Sequence, residues 1–303
     1  EGERALAASC VREVQAGMVV STHSDKLDRC RTGLTQLLLA EQPETSAREV
    51  TTGDDALVAL ARAQQLERPE QTAPAPRPQD DSSHVIAVDH QACILCDRCI
   101  RACNEVQHNL VMGRTGKGHS TRIGFDFDQP MGESSCVSCG ECVAACPTGA
   151  LTEKSFDLFA PPKELEAVDS VCPYCGVGCA IRYQTDRAAN RIQYAEGRES
   201  PGSGGRLCVK GRYGFDYTMH PERLTTPLIR IDYPKHALST EVRSSDRRRR
   251  KPGGLVDPSE VMPAFREATW DEALDLVATR FLDIRKQSGG GALAGFGSAK
   301  CSN

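Results

Sequence analysis

Twelve of the fifteen cysteines in this 303-residue chain fall into three groups between positions 93 and 208. The groups are built from C-x2-C units, a spacing that brings several thiolates to one metal centre. An odd number of cysteines in such tight groups is not typical of the disulfide framework of a secreted protein. The pattern therefore predicts metal or iron–sulfur ligands in a reducing compartment, and we expect a cytoplasmic protein.

The first two groups repeat one pattern, C-x2-C-x2-C-x3-C, at 93–103 and at 136–146, where Pro147 follows the last cysteine. Bacterial ferredoxins use this run to hold two [4Fe–4S] clusters, and the fourth cysteine of each run binds the cluster of the other run. Zinc bound by four thiolates is the alternative. We assign the first cluster to Cys93, Cys96, Cys99 and Cys146. The second cluster is assigned to Cys136, Cys139, Cys142 and Cys103.

The third group consists of Cys172, Cys175, Cys179 and, after 28 further residues, Cys208. This spacing alone suits either a zinc ribbon or a third [4Fe–4S] cluster. The glycines between Cys175 and Cys179 would let the backbone turn closely around the metal. Two expected clusters immediately upstream favour another electron relay.

The sequence patterns around these cysteine groups predict a multidomain chain of the α+β class. Apolar periodicity predicts two helices packed against each other, over 24–40 and 54–66, and prolines mark a linker at 69–84. The double-cluster domain would occupy 85–158, and its glycine-bearing segment 113–124 would form a plain hairpin rather than a phosphate loop. Thr269 and Glu272 suggest a capping box at the start of a helix, followed by a short buried strand over 292–296.

Several residues that could do chemistry are expected to have no such role. We expect Cys30 to be a packed thiol and Cys301 to lack a cysteine partner, and we place His84 and His90 on the surface. The basic run 247–251 is expected to be a solvated insertion, with docking to an acidic partner as the lesser alternative.

The composition excludes two broad function classes. The net charge is −4, with 26% charged residues, which is not the charge pattern of a nucleic-acid-binding protein. No run of 18 apolar residues occurs, so no membrane span is predicted. Aromatic residues make up only 5%, so we expect metal centres to help hold the chain together.

CPYCGVGC at 172–179, followed by CVKGRYGFDY at 208–217, resembles the first domain of bis-molybdopterin enzymes, formate dehydrogenases in particular. ATWDEALDLVATRF and GFGSAKCSN resemble the next stretch of the same subunit. The resemblance implies a [4Fe–4S] domain at 166–222 and the start of an α/β molybdopterin-binding domain at 223–303. It also implies an electron-relaying Lys210 between the third cluster and the pterin, and pterin contacts at Ser298 and Lys300.

Ala8-Ser9-Cys10, followed by Ala16-Gly17-Met18, resembles the end of a plant-type [2Fe–2S] domain, which would occupy 1–22. Cys10 would be the fourth ligand of that cluster, and its three partners would precede Glu1. In the related large iron–sulfur subunit of complex I, a His-Pro-x-x-Cys-x-x-Cys cluster site follows the next helix. Within the helical segment 23–68, this register holds residues 42–46 and Glu49 instead. We therefore expect that cluster to be absent.

The whole order resembles the large subunit of NAD-dependent formate dehydrogenases. The resemblance implies that formate is oxidised to CO2 at molybdenum or tungsten held by two molybdopterin guanine dinucleotides. Electrons would then pass through three [4Fe–4S] clusters and one [2Fe–2S] cluster to a partner subunit that binds flavin and NAD. The catalytic cysteine or selenocysteine would follow Asn303, so this chain alone should be inactive. A complex I-type electron-transfer subunit and a zinc-stabilised interaction protein are the alternatives.

Overall fold

The computed structural model describes residues 5–9, 12–69, 77–154, 164–231, 262–295 and 297. The described chain divides into a first unit that runs to Asp216 and a second unit that begins at Tyr217. Among the described residues, none of the helices combines the length and the apolar character needed to cross a bilayer.

Three helices precede the cysteine groups: α1 (Asp25–Ala40), α2 (Ala47–Thr51) and α3 (Ala56–Ala63). Helix α1 begins where Ser24 accepts a hydrogen bond from the Leu27 amide. The buried Asp55 caps α3 by accepting from the amides of Leu57 and Val58. Helices α1 and α3 pack against each other, which confirms the sequence prediction.

The first two cysteine groups are carried by short elements between the strands of a small antiparallel sheet. That sheet has the order β1-β2-β5, and strands β3 and β4 form a separate hairpin between the two groups. The strands are β1 (Gln79–Asp80), β2 (Ile86–Asp89), β3 (Met112–Thr115), β4 (Arg122–Phe125) and β5 (Leu151–Glu153). The hairpin confirms that the 113–124 segment is not a phosphate loop. Strand β1, by contrast, lies in what the sequence predicted to be a linker.

The helical turns of this region are α4 (Arg98–Arg101), which continues as a π-helical turn over Ala102–Val106, and α5 (Glu141–Ala145). Each carries cysteines into the core. Ile86, Phe125 and Met131 are at most 2% exposed and form this core together with four of the thiols, those of Cys99, Cys103, Cys142 and Cys146. The core of this region is therefore built in part from the candidate ligands themselves.

The third cysteine group lies on a second antiparallel sheet of order β6-β7-β8. Its strands are β6 (Glu166–Val171), β7 (Ala180–Asp186) and β8 (Arg191–Gly197), and helix α6 (Val209–Tyr213) follows. Val171 pairs with Ala180, so residues 172–179 close the hairpin between β6 and β7. Three of the four cysteines of the group therefore sit on one hairpin loop.

The second unit contains the strand pair β9 (Leu228–Arg230) and β10 (Phe265–Glu267), and helix α7 (Trp270–Ser288). The Thr269 hydroxyl accepts from the Glu272 amide at 3.2 Å, which confirms the predicted helix start. The strand predicted over 292–296 is wrong for its described part: Gly290–Ala292 is a 3-10 turn, and residues 293–295 are not in a strand. A strand needs a neighbour for its backbone hydrogen bonds, and the local sequence does not supply one.

Two single-residue predictions are also wrong. Cys30 is exposed rather than packed, because it lies on the side of α1 where Leu34 and Leu37 are also exposed. His90 is only 5% exposed rather than on the surface, because the turn that follows β2 directs it into the core. His84 is exposed, as predicted.

We predict that Asp55→Ala lowers the free energy of unfolding by about 2 kcal/mol, because two helix amides and the Ser46 hydroxyl lose a buried acceptor. The control is Ser24→Ala, which removes the exposed cap of α1 and should cost about 0.5 kcal/mol. Chemical denaturation of the metal-loaded protein measures both values. Equal losses would contradict the structural role assigned to Asp55.

Candidate metal centres

Four cysteines from the two ferredoxin-type runs line one cavity. Its walls include the thiol groups of Cys93, Cys96, Cys99 and Cys146. His90 lines the same cavity. Burial lowers the pKa of His90, with a smaller contribution from Arg122, so the neutral imidazole is favoured there. The structure thus brings together the four cysteines that the sequence assigned to the first cluster.

A second cavity is lined by the other four cysteines of the two runs: Cys103, Cys136, Cys139 and Cys142. Asn109 lies at its wall and donates to the Cys139 thiol sulfur across 3.9 Å. Nothing in the sequence alone indicated Asn109, because a single amide between two motifs carries no distinguishing pattern. Each cavity is therefore lined by the first three cysteines of one run and the fourth cysteine of the other.

The two cysteine loops share one backbone conformation. Leu95 and Ser138, each two residues after the first cysteine of its run, have left-handed φ angles of 54° and 53°. This conformation points the Leu95 amide at the Cys93 sulfur, 3.5 Å away, and the Ser138 amide at the Cys136 sulfur, 3.4 Å away. Hydrogen bonds to cluster sulfurs stabilise the reduced cluster. An all-thiol donor set with amides directed at the sulfurs fits an iron–sulfur cluster.

The helical segment before the domain supports the loop that carries Cys146. Arg48 on α2 donates to the backbone oxygens of Val143, at 3.1 Å, and Cys146, at 2.7 Å. Thr148 holds the other side of the loop by donating to the Ala92 carbonyl at 2.8 Å. Nothing in the sequence alone indicated this role of Arg48, because it lies 98 residues from Cys146.

The residues that stand where complex I has a histidine and cysteine site are used for protein contacts. Ser46 donates a buried hydrogen bond to Asp55, and Glu49 forms an ion pair with Arg62 at 2.6 Å. A serine hydroxyl and a glutamate are also poor replacements for thiolate ligands of iron. These contacts tie α2 to α3.

Burial is the main influence on the thiols of the first two groups. It raises the pKa of Cys99 to about 12 and that of Cys142 well above its usual range, and neighbouring thiols add to both shifts. The pKa values of Cys93, Cys136 and Cys139 are also raised, chiefly by burial. Several thiolates are therefore stable together here only with a cationic partner such as an iron–sulfur cluster.

The third group is positioned by the ends of β6 and β7 and by α6. The Cys172 amide donates to the Cys179 carbonyl at 2.9 Å, which closes the hairpin loop. Cys208 is the N-cap residue of α6, and Gly211 on that helix lies against the Cys172 thiol: a Cβ built on it would be 3.5 Å from the sulfur. Burial raises the pKa of Cys172. Cys208 and Lys210 are exposed.

Some predicted site residues lie outside the described residues, namely Cys10, Ser298, Lys300, Cys301 and the basic run 247–251. Within the described ranges, no group of three or more His, Cys, Asp or Glu side chains is arranged to hold a metal ion. The cysteines of the first two groups instead line the two cavities described above.

We predict that Cys93→Ser and Cys146→Ser disturb the same cluster, because the two thiols line one cavity. Each variant, and the double variant, should lose up to about four iron atoms per chain, since serine is a poor iron ligand. A Cys103→Ser/Cys146→Ser double variant should affect two clusters. Iron analysis and electron paramagnetic resonance (EPR) of the reduced protein measure the effects, with Cys30→Ser as the control that retains all iron. Additive losses for Cys93→Ser and Cys146→Ser would contradict the shared site.

Two known domain families match the parts of the chain that carry these sites. Residues 92–150 match the 4Fe-4S dicluster domain. Residues 165–220 match the molybdopterin oxidoreductase Fe4S4 domain. The first match covers both ferredoxin-type runs, and the second covers the third group with Lys210. Both families bind iron–sulfur clusters by definition, so [4Fe–4S] clusters are the cofactors of these domains.

Three relatives illustrate what the chain is similar to. The alpha subunit of the NADPH-Fe(3+) oxidoreductase of Geobacter sulfurreducens is 28% identical over 100% of this chain and 31% of its own length. One of the NADH-quinone oxidoreductase subunits of Rhizobium meliloti is 30% identical over 88% of this chain and 32% of its own. A formate dehydrogenase-like protein of Staphylococcus haemolyticus is 29% identical over 71% of this chain and 23% of its own.

The chain thus spans a third or less of the length of these curated relatives. The two domain matches lie on the parts of the chain that carry the three cysteine groups. The chain contains a 4Fe-4S dicluster domain and a molybdopterin oxidoreductase Fe4S4 domain, with homologues among NADH-quinone oxidoreductase subunits and formate dehydrogenase-like proteins.

Proposed function

We propose that this chain is the electron-transfer portion of the large subunit of a molybdenum- or tungsten-dependent formate dehydrogenase. The single observation that carries this proposal is that one unit of the chain holds both cysteine-lined cavities and the third cysteine group. Three electron carriers in one unit suit a relay rather than a storage or structural role. The match of the third group to a molybdopterin oxidoreductase domain supports a pterin site as the electron source.

The residues of this chain have defined tasks in such a relay. The twelve cysteines from Cys93 to Cys208 would hold three [4Fe–4S] clusters, which would supply one-electron oxidation and reduction at potentials set by hydrogen bonds and burial. The amides of Leu95 and Ser138 donate to the sulfurs of Cys93 and Cys136, and Ile86 and Phe125 bury four of the other thiols in the core. No bond forms or breaks, because each step moves a single electron.

The proposal also includes an electron source at one end of the relay and an electron acceptor at the other. Lys210 places a fixed positive charge beside Cys208, on the way to a bis-molybdopterin guanine dinucleotide that Ser298 and Lys300 would contact. At the other end, Cys10 would complete a [2Fe–2S] cluster that passes electrons to a flavin- and NAD-binding partner subunit in the cytoplasm. The relatives named as NADPH- and NADH-linked enzymes support a partner subunit that binds a nicotinamide nucleotide.

The second candidate is an electron-transfer subunit of the complex I type, without formate chemistry. The 30% identity with a subunit of an NADH-quinone oxidoreductase favours it. Ser46 and Glu49 argue against it, since these two residues stand in the register of a cluster site of that family and are engaged in protein contacts instead. Substrate assays therefore decide between the two.

Metal content separates both candidates from a zinc-stabilised protein. We predict about twelve iron atoms and about twelve acid-labile sulfides per chain for the clusters held by residues 93–208, because each of three clusters contains four of each. Purification without oxygen, followed by iron, sulfide and zinc analysis, measures this. Three or four zinc atoms per chain, without iron, would exclude the relay.

We predict that the full-length subunit with its partners oxidises formate and that Lys210→Met slows formate-dependent dye reduction about tenfold. The positive charge is lost, so the electron is no longer stabilised between the pterin and the third cluster. Lys210→Arg should recover most of the rate, and Lys286→Met, which changes an exposed lysine on α7, should be neutral.

A full-length complex that contains its clusters and transfers electrons from NADH, but is inactive with formate, would support the complex I-type alternative. The sequence that follows Asn303 in the same gene gives an independent test. A cysteine or selenocysteine codon with a nearby histidine codon supports formate oxidation, and the absence of that pair contradicts it.

A further inference from the structure

A buried ion pair links the third cysteine group to the second ferredoxin-type run. Arg212 on α6 and Glu141 on α5 have side chains that are 4% and 3% exposed. Arg212 Nη2 lies 2.7 Å from Glu141 Oε1. Taking two charges out of water is costly, and only good geometry with further hydrogen bonds offsets that cost. The pair is therefore a specific connection between two segments that carry candidate ligands.

Arg212 also contacts the backbone of a cysteine in each segment. Its Nε donates to the Cys139 carbonyl at 3.0 Å, and its own amide donates to the Cys208 carbonyl at 3.1 Å. Between Cys139 and Glu141, Gly140 has a φ of +76°, and a Cβ built there would collide with Arg212 Cδ. The arginine side chain thus packs directly on the loop that presents Cys139.

The charged groups around Arg212 differ in how strongly water screens them. Glu153, whose side chain is 6% exposed, places a carboxylate oxygen 4.0 Å from Arg212 Nη1. Arg206 reaches Glu141 at 3.3 Å, but its side chain is 54% exposed and water screens its charge. In the described part of the chain, Arg212 is therefore the buried cation that touches the loop of the second cavity. A buried charge acts through a lower dielectric than an exposed one.

We propose that Arg212 is a positioning residue for electron transfer between the third cysteine group and the cluster held by Cys103, Cys136, Cys139 and Cys142. The proposal rests on the relay function above. Arg212 holds the Cys208 and Cys139 segments together, and its positive charge favours the reduced state of the cluster that Cys139 binds. One electron leaves the donor cluster, which is oxidised, and enters the acceptor cluster, which is reduced. No proton or bond is involved.

The test is an EPR-monitored redox titration of the full-length, cluster-loaded protein. In Arg212→Gln, the equilibrium constant for reduction of this cluster should fall about tenfold, which corresponds to a potential about 59 mV more negative. Arg212→Lys keeps the charge and should recover most of the shift. Arg206→Gln removes a charge from the same carboxylate without touching Cys139, so it should produce less than half the shift. The cluster on Cys93 provides an internal reference.

A second variant covers the case in which Arg212→Gln fails to fold or loses iron. Glu141→Gln keeps the size of the side chain and an acceptor for Arg212 but removes a buried negative charge, so the potential should become more positive. Opposite shifts in the two variants support the proposal, as does the positive shift of Glu141→Gln alone if Arg212→Gln loses iron.

The proposal is overturned if iron content is retained and neither variant moves the potential, or if Arg206→Gln moves it as far as Arg212→Gln. A wild-type protein without cluster signals would instead overturn the relay function on which the proposal rests. Iron analysis of the wild-type protein therefore distinguishes the two failures.

Discussion

Cys99, Cys103, Cys142 and Cys146 lie in the same buried core as Ile86 and Phe125, and the rest of the first unit depends on this arrangement. A thiolate in such a place is unstable on its own, as the raised pKa values of Cys99 and Cys142 show. We therefore expect cluster binding and core formation to be coupled in this region, since the candidate ligands are also packing residues. The small number of aromatic residues in the chain is consistent with a core completed by its metal centres.

Much of the surrounding structure serves to hold the cysteine loops in one conformation. Left-handed residues direct amides at sulfurs, Arg48 and Thr148 fix the loop of Cys146, and Arg212 fixes the loop of Cys139. The helical segment at 25–63 thus supports the first cluster site through α2, although it lies before the double-cluster domain. In an electron relay such rigidity keeps ligand geometry, and hence potential, constant.

Neighbouring residues at the start of α6 have different environments and different candidate roles. Cys208 caps the helix, Lys210 is exposed, Gly211 packs against the Cys172 thiol, and Arg212 is buried against the second ferredoxin-type run. Within five residues the helix thus supplies a candidate ligand, a candidate relay charge and the link to the next cluster site. One short helix thus contacts two of the three cysteine groups.

The sequence alone predicted the two sets of four cysteines that line separate cavities, the hairpin at 113–124, the helices α1 and α3 and the start of α7. Cysteine spacing, apolar periodicity and a helix cap are all local signals that act over a few residues. The tertiary structure decided the burial of His90, the exposure of Cys30 and the strand at 79–80, which depend on what packs against each residue. It also decided the Arg212–Glu141 pair, whose partners lie 71 residues apart. Contacts over such distances leave no periodic pattern in a single sequence, so only the folded chain brings those charges together.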